Sequence, residues 1–449
     1  MASAIVNIFK IPELRRRVLF TLFILIVYRI GAHIPIPGIN VEALKSYFDQ
    51  AAKSSQAGGL VDFFDLFAGG ALKRFTVFAL GIMPYISASI IMQLLTVVIP
   101  QLERISKEGP EGHKKINQYT RYGTVLLCAI QSMGLTFWMK SMASAKGTVV
   151  PKDAGIGFII VTVMAITTGT MILMWLGEVI TERGIGNGIS LIIFAGIVVR
   201  VPAAAMDTWQ RVVDRSDPII GIILIGIFVL VVAASILLTL GIRKIPVNYG
   251  KRVVGRRMVQ MSSQAIPLRV NAAGVIPIIF ASSIILFPAQ ISNMLGGSEY
   301  AIMQKLQYWL SPGHGVYMLL YGMLIIFFCY FYTAIQFNPV DIADNLKKYG
   351  GFIPGIRPGQ NTADYIMRIL NRITLSGAIF LALIAIVPDF IIRIWPEEVS
   401  HEMAYLFGGT SLLIIVGVAL DTLKQIESQL LMRHYDGFIK KGRIRGRYQ

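Results

Sequence analysis

Apolar residues run along this chain in long unbroken stretches separated by short charged ones, and the stretch length sets the class of protein. Ten runs stand out, at about 18–36, 75–99, 122–140, 155–177, 185–201, 218–241, 271–292, 315–337, 373–394 and 403–422. A helix needs roughly 20 apolar residues to cross a bilayer, whereas barrel strands are about half as long and alternate with period two. The pattern therefore predicts an all-α membrane protein with ten transmembrane helices. The run at 18–36 contains Arg29, and the run at 185–201 is short. The runs cluster as five plus five around a polar link at 202–217. An odd number of helices in each half gives related halves opposite topology, an arrangement whose interface often carries a functional path.

Between residues 63 and 95 the pattern changes. A short, glycine-interrupted amphipathic half-helix at 61–75, carrying Phe63, Phe64 and Phe67, precedes the second apolar run. It is too short to cross a bilayer, and irregular structure at membrane depth is tolerated only inside protein or beside an aqueous cavity. The expectation is a re-entrant element lining a path through the membrane. On the next helix Ile82 and Ile86 lie one turn apart on one face, and Ile189 and Ile193 repeat that spacing on the fifth span. Membrane isoleucines more often pack or face lipid, but a ring of them can seal a path by dewetting. Pro84, Tyr85, Ser87, Ser89 and Gln93 add polar character to the second span, and Gln131 offers a matching group on the third. Ordinary interhelical hydrogen bonding, worth about 0.6–2 kcal/mol each, is the competing account.

Charge orients this arrangement. With both termini in the cytoplasm, the whole formal net charge of +17 falls on the cytoplasmic face and the outer face sums to zero, as the positive-inside rule requires. Hydrophobic residues make up 55% of the chain and charged ones 15%, which excludes an ordinary soluble domain. Arg15, Arg16 and Arg17 precede the first run, but Arg29, His33, Pro35 and Pro37 follow it in place of a small-residue cleavage site, so no cleavable signal peptide is expected. Cys128 and Cys329 fall inside spans and read as packing residues.

Three cytoplasmic segments exceed what topology needs. Residues 100–119 are mixed in charge, while 243–269 hold seven basic residues and no acidic one, with an alternation at 253–261 that predicts a hairpin. Residues 338–372 contain GGFIPGIRPG, whose Gly and Pro predict a compact exposed turn. The tail at 431–449 is basic. Anchoring near anionic lipid takes only a few such charges, so the loops point to docking of an acidic partner such as ribosomal RNA, or of a soluble motor protein.

Catalytic signatures fail one by one. There is no G-x-x-x-x-G-K-[ST] loop, and His401-Glu402 is followed by Tyr405 where a zinc H-E-x-x-H needs histidine. Ser190 lacks the setting of a hydrolase elbow, and 184–188 (GIGNG) reads as a break between helices. No enzyme activity, metal or cofactor is expected. The helix interiors are also read as uncharged apart from Arg29, which weighs against a small-solute secondary transporter, the competing class.

The stretches GGALKRFTVFALGIMPYISASIIMQLL, ITERGIGNGISLIIFAGI, NAAGVIPIIFASSIILFP, FNPVDIADNLKKYGGFIPGIRPG and FGGTSLLIIVGVAL, in order along the chain, resemble the SecY protein-conducting channels of bacteria and plastids. The resemblance implies two pseudosymmetric five-helix halves, 1–201 and 218–430, around an hourglass pore. It implies a plug at about 60–74 including Phe64, Phe67, Gly69 and Gly70. It implies a pore ring of Ile82, Ile86, Ile189, Ile193, Ile279 (or its neighbour Ile278) and Ile414, and a lateral gate with Ser87, Gln131 and Phe287 at its seam. Arg256, Arg257 and Arg357 would lie in loops that meet the ribosome or the SecA motor. Such a channel passes unfolded secretory chains across the cell (inner) membrane and releases apolar segments into lipid, in complex with SecE and usually SecG.

Overall fold

The computed structural model describes residues 11–51, 65–141, 143–144, 147–151, 155–214, 218–249, 252–254, 257–259, 264–271, 273–294, 309, 314–395, 399 and 401–441. A helix occupies every one of the ten apolar runs. Seven helices among the described residues are long and apolar enough to cross a membrane, and a bent helix pair makes an eighth if it is one span. The chain divides into two compact units, one of residues 1–207, 290–300 and 414–449, the other of residues 208–289 and 301–413.

In the first unit, α1 (Pro12–Gly31) starts on a proline, which needs no amide partner in the first turn. A short helix, α2 (Val41–Ala51), follows. The second apolar run is helical only as α3 (Met83–Val98); residues 68–82 are turns, where a helix from 75 was expected. Gly69, Gly70 and Gly81 take positive φ there, and Pro84 near the helix start favours nucleation only at that point. At its far end α3 bends by 101° into α4 (Pro100–Lys107). The cause is local: Ile99, preceding Pro100, is held extended at φ −99°, ψ 112°.

The next helix, α5 (Pro110–Ser141), leads through the β1–β2 hairpin (Ala143–Ser144 with Gly147–Thr148) to α6 (Ile156–Arg183) and α7 (Gly188–Val198). The GIGNG stretch is the helix break expected. Its backbone amides are satisfied by side chains: Thr21 Oγ1 accepts from Ile185, Gln425 Oε1 from Gly186 and Thr181 Oγ1 from Gly188. Asn187 caps α7 by accepting the Ser190 amide at 3.1 Å. The link at 202–217 is not an irregular polar loop, because it carries α8 (Val201–Asp214), with Met206, Trp209 and Val213 exposed and Ala204 and Thr208 buried. Cys128 and Cys329 are free, buried thiols.

Close backbone packing holds α6 in place. A Cβ built on Gly169 would lie 2.1 Å from the Val77 carbonyl oxygen, and backbone cannot swing away as a side chain can. Gly169→Ala is therefore expected to cost about 1–3 kcal/mol, the overpacking range. A lower thermal unfolding midpoint in detergent is the readout, with Gly157→Ala on the same helix, where nothing lies within 4 Å, unchanged.

In the second unit, α9 (Pro218–Leu240) runs into β3 (Ile242–Tyr249), which pairs antiparallel with β6 (Gln264–Arg269) in register Ile245↔Ile266. Between them, β4 (Arg252–Val254) and β5 (Arg257–Val259) form the hairpin that the alternation predicts. After α10 (Ile276–Met294), α11 (Gly315–Gln336) and α12 (Pro339–Lys348), β7 (Gly351–Phe352) joins the other edge of β3. Ile245, Val247, Leu268, Leu346, Ile353 and Ile366 form a small core beneath this three-stranded sheet, so the extramembrane loops are built, not merely charged. The named strands lie outside the apolar runs.

The last helices are α13 (Gln360–Ile394), α14 (His401–Phe407) and α15 (Gly409–Lys441). Here the expectation of uncharged helix interiors fails, since Asp389 lies inside the ninth run and is 2% exposed. It sits within electrostatic range of Tyr317 and Tyr321 on α11. A carboxylate at this depth is tolerated because it faces protein and not lipid. A Cβ on Gly408 would strike Pro388 at 1.9 Å, so the α14–α15 break packs directly on the proline of α13.

Candidate functional site

The segment expected as re-entrant is a folded, enclosed element of the first unit. Residues 65–67 form one helical turn, followed by turns to 82, so the half-helix drawn from the sequence is much shorter among the described residues. Leu66, Phe67, Ala68, Phe75 and Ile82 are buried. Phe64 lies outside the described residues. The chain after α1 pairs with the segment: Ile36 donates its amide to the Phe75 carbonyl at 3.1 Å and Val77 donates to Ile34 at 3.1 Å.

Gly69 packs closely on two neighbouring helices. Its φ is +65°, and a Cβ on it would lie 2.6 Å from Tyr28 Oη on α1 and 3.0 Å from Gly196 Cα on α7. Arg29 Nη1 donates to the Gly69 carbonyl at 2.9 Å. Asp65 is fully buried: Oδ1 accepts the amides of Leu72 and Lys73 at 3.0 Å each, and Oδ2 accepts from Arg200 Nη1 at 2.5 Å. A buried carboxylate needs such compensation, because an unpaired one is strongly disfavoured.

The isoleucines nearby are apolar and mostly buried. Ile82 precedes α3, next to Gly81, whose Cβ would meet Ala68 Cα at 3.2 Å. Ile86 lies one turn further on and is buried. On α7, Ile193 is buried and Ile189 half-buried, and Gly196, against which Gly69 sits, is one turn from Ile193. The segment thus packs on the helix of Ile189 and Ile193 and runs directly into the helix of Ile86. Ile414 is buried in the first unit, and Ile278 and Ile279 are both buried in the second.

Ser87 on α3 and Gln131 on α5 are half-buried on helices that pack together. Gln93 donates to Ser89 at 3.4 Å within α3 itself. Phe287 belongs to α10, and its side chain lies outside the description. Arg357 is exposed on the turn before α13, its carbonyl accepting from Thr362 Oγ1 at 2.9 Å. Arg257 opens β5, with its side chain outside the described part, and Arg256 lies outside the described residues.

Sequence reasoning missed Asp65 and Arg200 and took Arg29 only as an oddity of the first span. A signal existed: charges at membrane depth pair with one another, and these three stand at or between apolar runs.

A polytopic helical membrane protein whose first unit encloses a non-spanning, side-chain-fastened segment is the class that fold and site define. Solved structures share this fold: one of a protein-conducting channel, with TM-score 0.65 and 19% identity over 93% of both chains, and one on the plug domain of SecY, which stabilises the closed state of that translocation channel and maintains a membrane seal, with TM-score 0.62 and 19% identity over 93% of this chain and 92% of that one. Sec61 in the canine ribosome-channel complex is similar at TM-score 0.62 and 17% identity over 93% of both chains. In sequence, the chain is 48% identical to protein translocase subunit SecY of Escherichia coli (strain K12) over 97% of this chain and 96% of that one. It is 47% identical to the Streptomyces coelicolor subunit over 98% and 100%. The sequence model of the SecY family matches residues 76–423, and the chain belongs to the SecY family.

Proposed function

We propose that this chain is the central channel subunit of a Sec translocase, which passes unfolded polypeptides across the membrane and releases transmembrane segments into lipid. It is a conduit and not an enzyme. The observation that carries the reading is the largely buried segment at 65–82, which ends at Ile82 and is seated on Tyr28 and Gly196 in the helix of Ile193, in a chain of the SecY family. On this reading the segment is the plug. Ile82, Ile86, Ile189, Ile193, Ile279 and Ile414 are the ring, and Ser87, Gln131 and Phe287 mark the lateral gate. The halves are 1–201 and 218–430, joined at 202–217. The membrane is the cell (inner) membrane, with both termini cytoplasmic, as the charge distribution supports.

The test is a polypeptide halted in transit through the reconstituted complex. A photo-crosslinker at Ile86 or Ile193 is expected to capture the halted chain, and one at the exposed Ile26 is not. Capture at neither ring position overturns the reading. A solute transporter would give that result.

Partners follow from the loops. SecE and SecG are the expected co-subunits, and SecA and the ribosome the cytoplasmic ones, the latter in line with the Sec61 complex. Arg357→Glu is expected to lower partner-driven translocation about tenfold or more, equivalent to about 1.4 kcal/mol of docking affinity. The protein should remain folded, because the side chain is exposed. Wild-type translocation by a correctly inserted variant counts against that contact.

A further inference from the structure

The fastenings of the plug segment differ in kind. Two of the bonds that Asp65 accepts, from Leu72 and Lys73, lie within the segment and close residues 65–73 on themselves. They travel with the segment if it moves as a unit. The bond from Arg200 instead reaches out to the end of α7, and the bond from Arg29 to Gly69 reaches α1. Arg74 and Arg200 both lie within electrostatic range of Arg29, and of these three guanidinium groups Arg200 is the one in contact with the Asp65 carboxylate. The Asp65 side chain is 0% exposed and that of Arg200 is 11% exposed.

We propose that the Asp65–Arg200 ion pair, supported by Arg29 on the Gly69 carbonyl, is the latch that holds the plug segment in its seat, and that breaking this pair releases it. The inference rests on the plug reading above. The physics suits a device that must hold and also let go. A buried ion pair is offset by the desolvation of both charges, so it contributes little net stability over a state in which both are hydrated. Release of the intact pair into water is therefore accessible. Removing only one partner is different, because it leaves an uncompensated charge in the closed state. Without the Asp65 charge, Arg200 loses its counter-charge while it and Arg74 still repel Arg29. In Asp65→Asn the side-chain carbonyl oxygen can still accept the Leu72 and Lys73 amides, so the turn itself survives.

The test is resting ion conductance of the reconstituted full-chain complex in planar bilayers. Asp65→Asn, Arg200→Gln, the double variant and a deletion of residues 65–74 are compared. Each single substitution is expected to raise the conducting fraction about tenfold or more, in line with the loss of one partner of a buried pair. The double variant, with no orphaned charge, should conduct less than the leakier single one. If the deletion conducts but the single variants match wild type, or if the double variant equals the product of the two, the latch is wrong while the plug stands. If the deletion does not conduct either, the plug reading fails and takes the latch with it.

Discussion

Gly69→Ala is expected to leave the channel conducting at rest, while Gly70→Ala, one residue on, leaves it nearly sealed. Both glycines hold positive φ, +65° and +87°, so both substitutions carry the same backbone strain of about 1–2 kcal/mol. Only Gly69 adds a collision. Its new Cβ would sit 2.6 Å from Tyr28 Oη and 3.0 Å from Gly196 Cα, whereas nothing lies within 4 Å of that on Gly70. Tyr28 cannot withdraw cheaply, because its ring is buried and stacked on Phe78 at 6.1 Å. Gly196 is backbone and cannot withdraw at all. The segment itself must therefore rise from its seat, stretching the Arg29 bond to the Gly69 carbonyl as it does. Conductance at rest in planar bilayers reads this out. Equal leak from the two variants would show that strain alone, and not the fit against α1 and α7, governs closure.

The second large effect is expected from Ile86→Gly combined with Ile193→Gly. Both side chains are buried, and both helix stretches adjoin the segment at 65–82. An apolar constriction excludes ions by refusing to wet, and its resistance falls steeply as it widens. Deleting two branched side chains removes the bulk that keeps the passage dry, so resting ion current should rise well above wild type. Glycine in a helix interior also costs about 1 kcal/mol, and each emptied site adds a cavity penalty. The matched control is therefore Ile26→Gly with Ile222→Gly, which carries the same helix penalty at exposed positions and should not leak. Unchanged current from a correctly inserted ring variant would count against these isoleucines as a seal.

Much of this architecture is legible in the sequence because hydropathy acts locally. Each apolar run binds its own stretch of helix to the membrane whatever its neighbours do, so all ten runs could be placed without a structure. The 184–188 break and the 253–261 hairpin were equally local, resting on glycine spacing and on alternation. Local reading failed where two signals competed. The run from 75 looked helical by composition, yet its glycines and Pro84 delay the helix to Met83. The link around 202–217 reads only as polar, yet residues 201–214 are a helix with Met206, Trp209 and Val213 exposed. Asp389 was passed over because a single acid near the end of a run barely changes its hydropathy, although burial makes that acid consequential.

By itself the sequence determined which runs are apolar enough to enter the membrane, how charge is spread between them, and that residues 61–75 are too short to span. Those follow from transfer free energies and charge, which add along the chain. It did not determine where that short segment rests. That depends on Arg200 meeting Asp65 across 135 positions, and on Gly196 leaving room for Gly69. Only the tertiary structure brings such residues together, because an ion pair and a backbone contact depend on distance in space, to which hydropathy along the chain is blind.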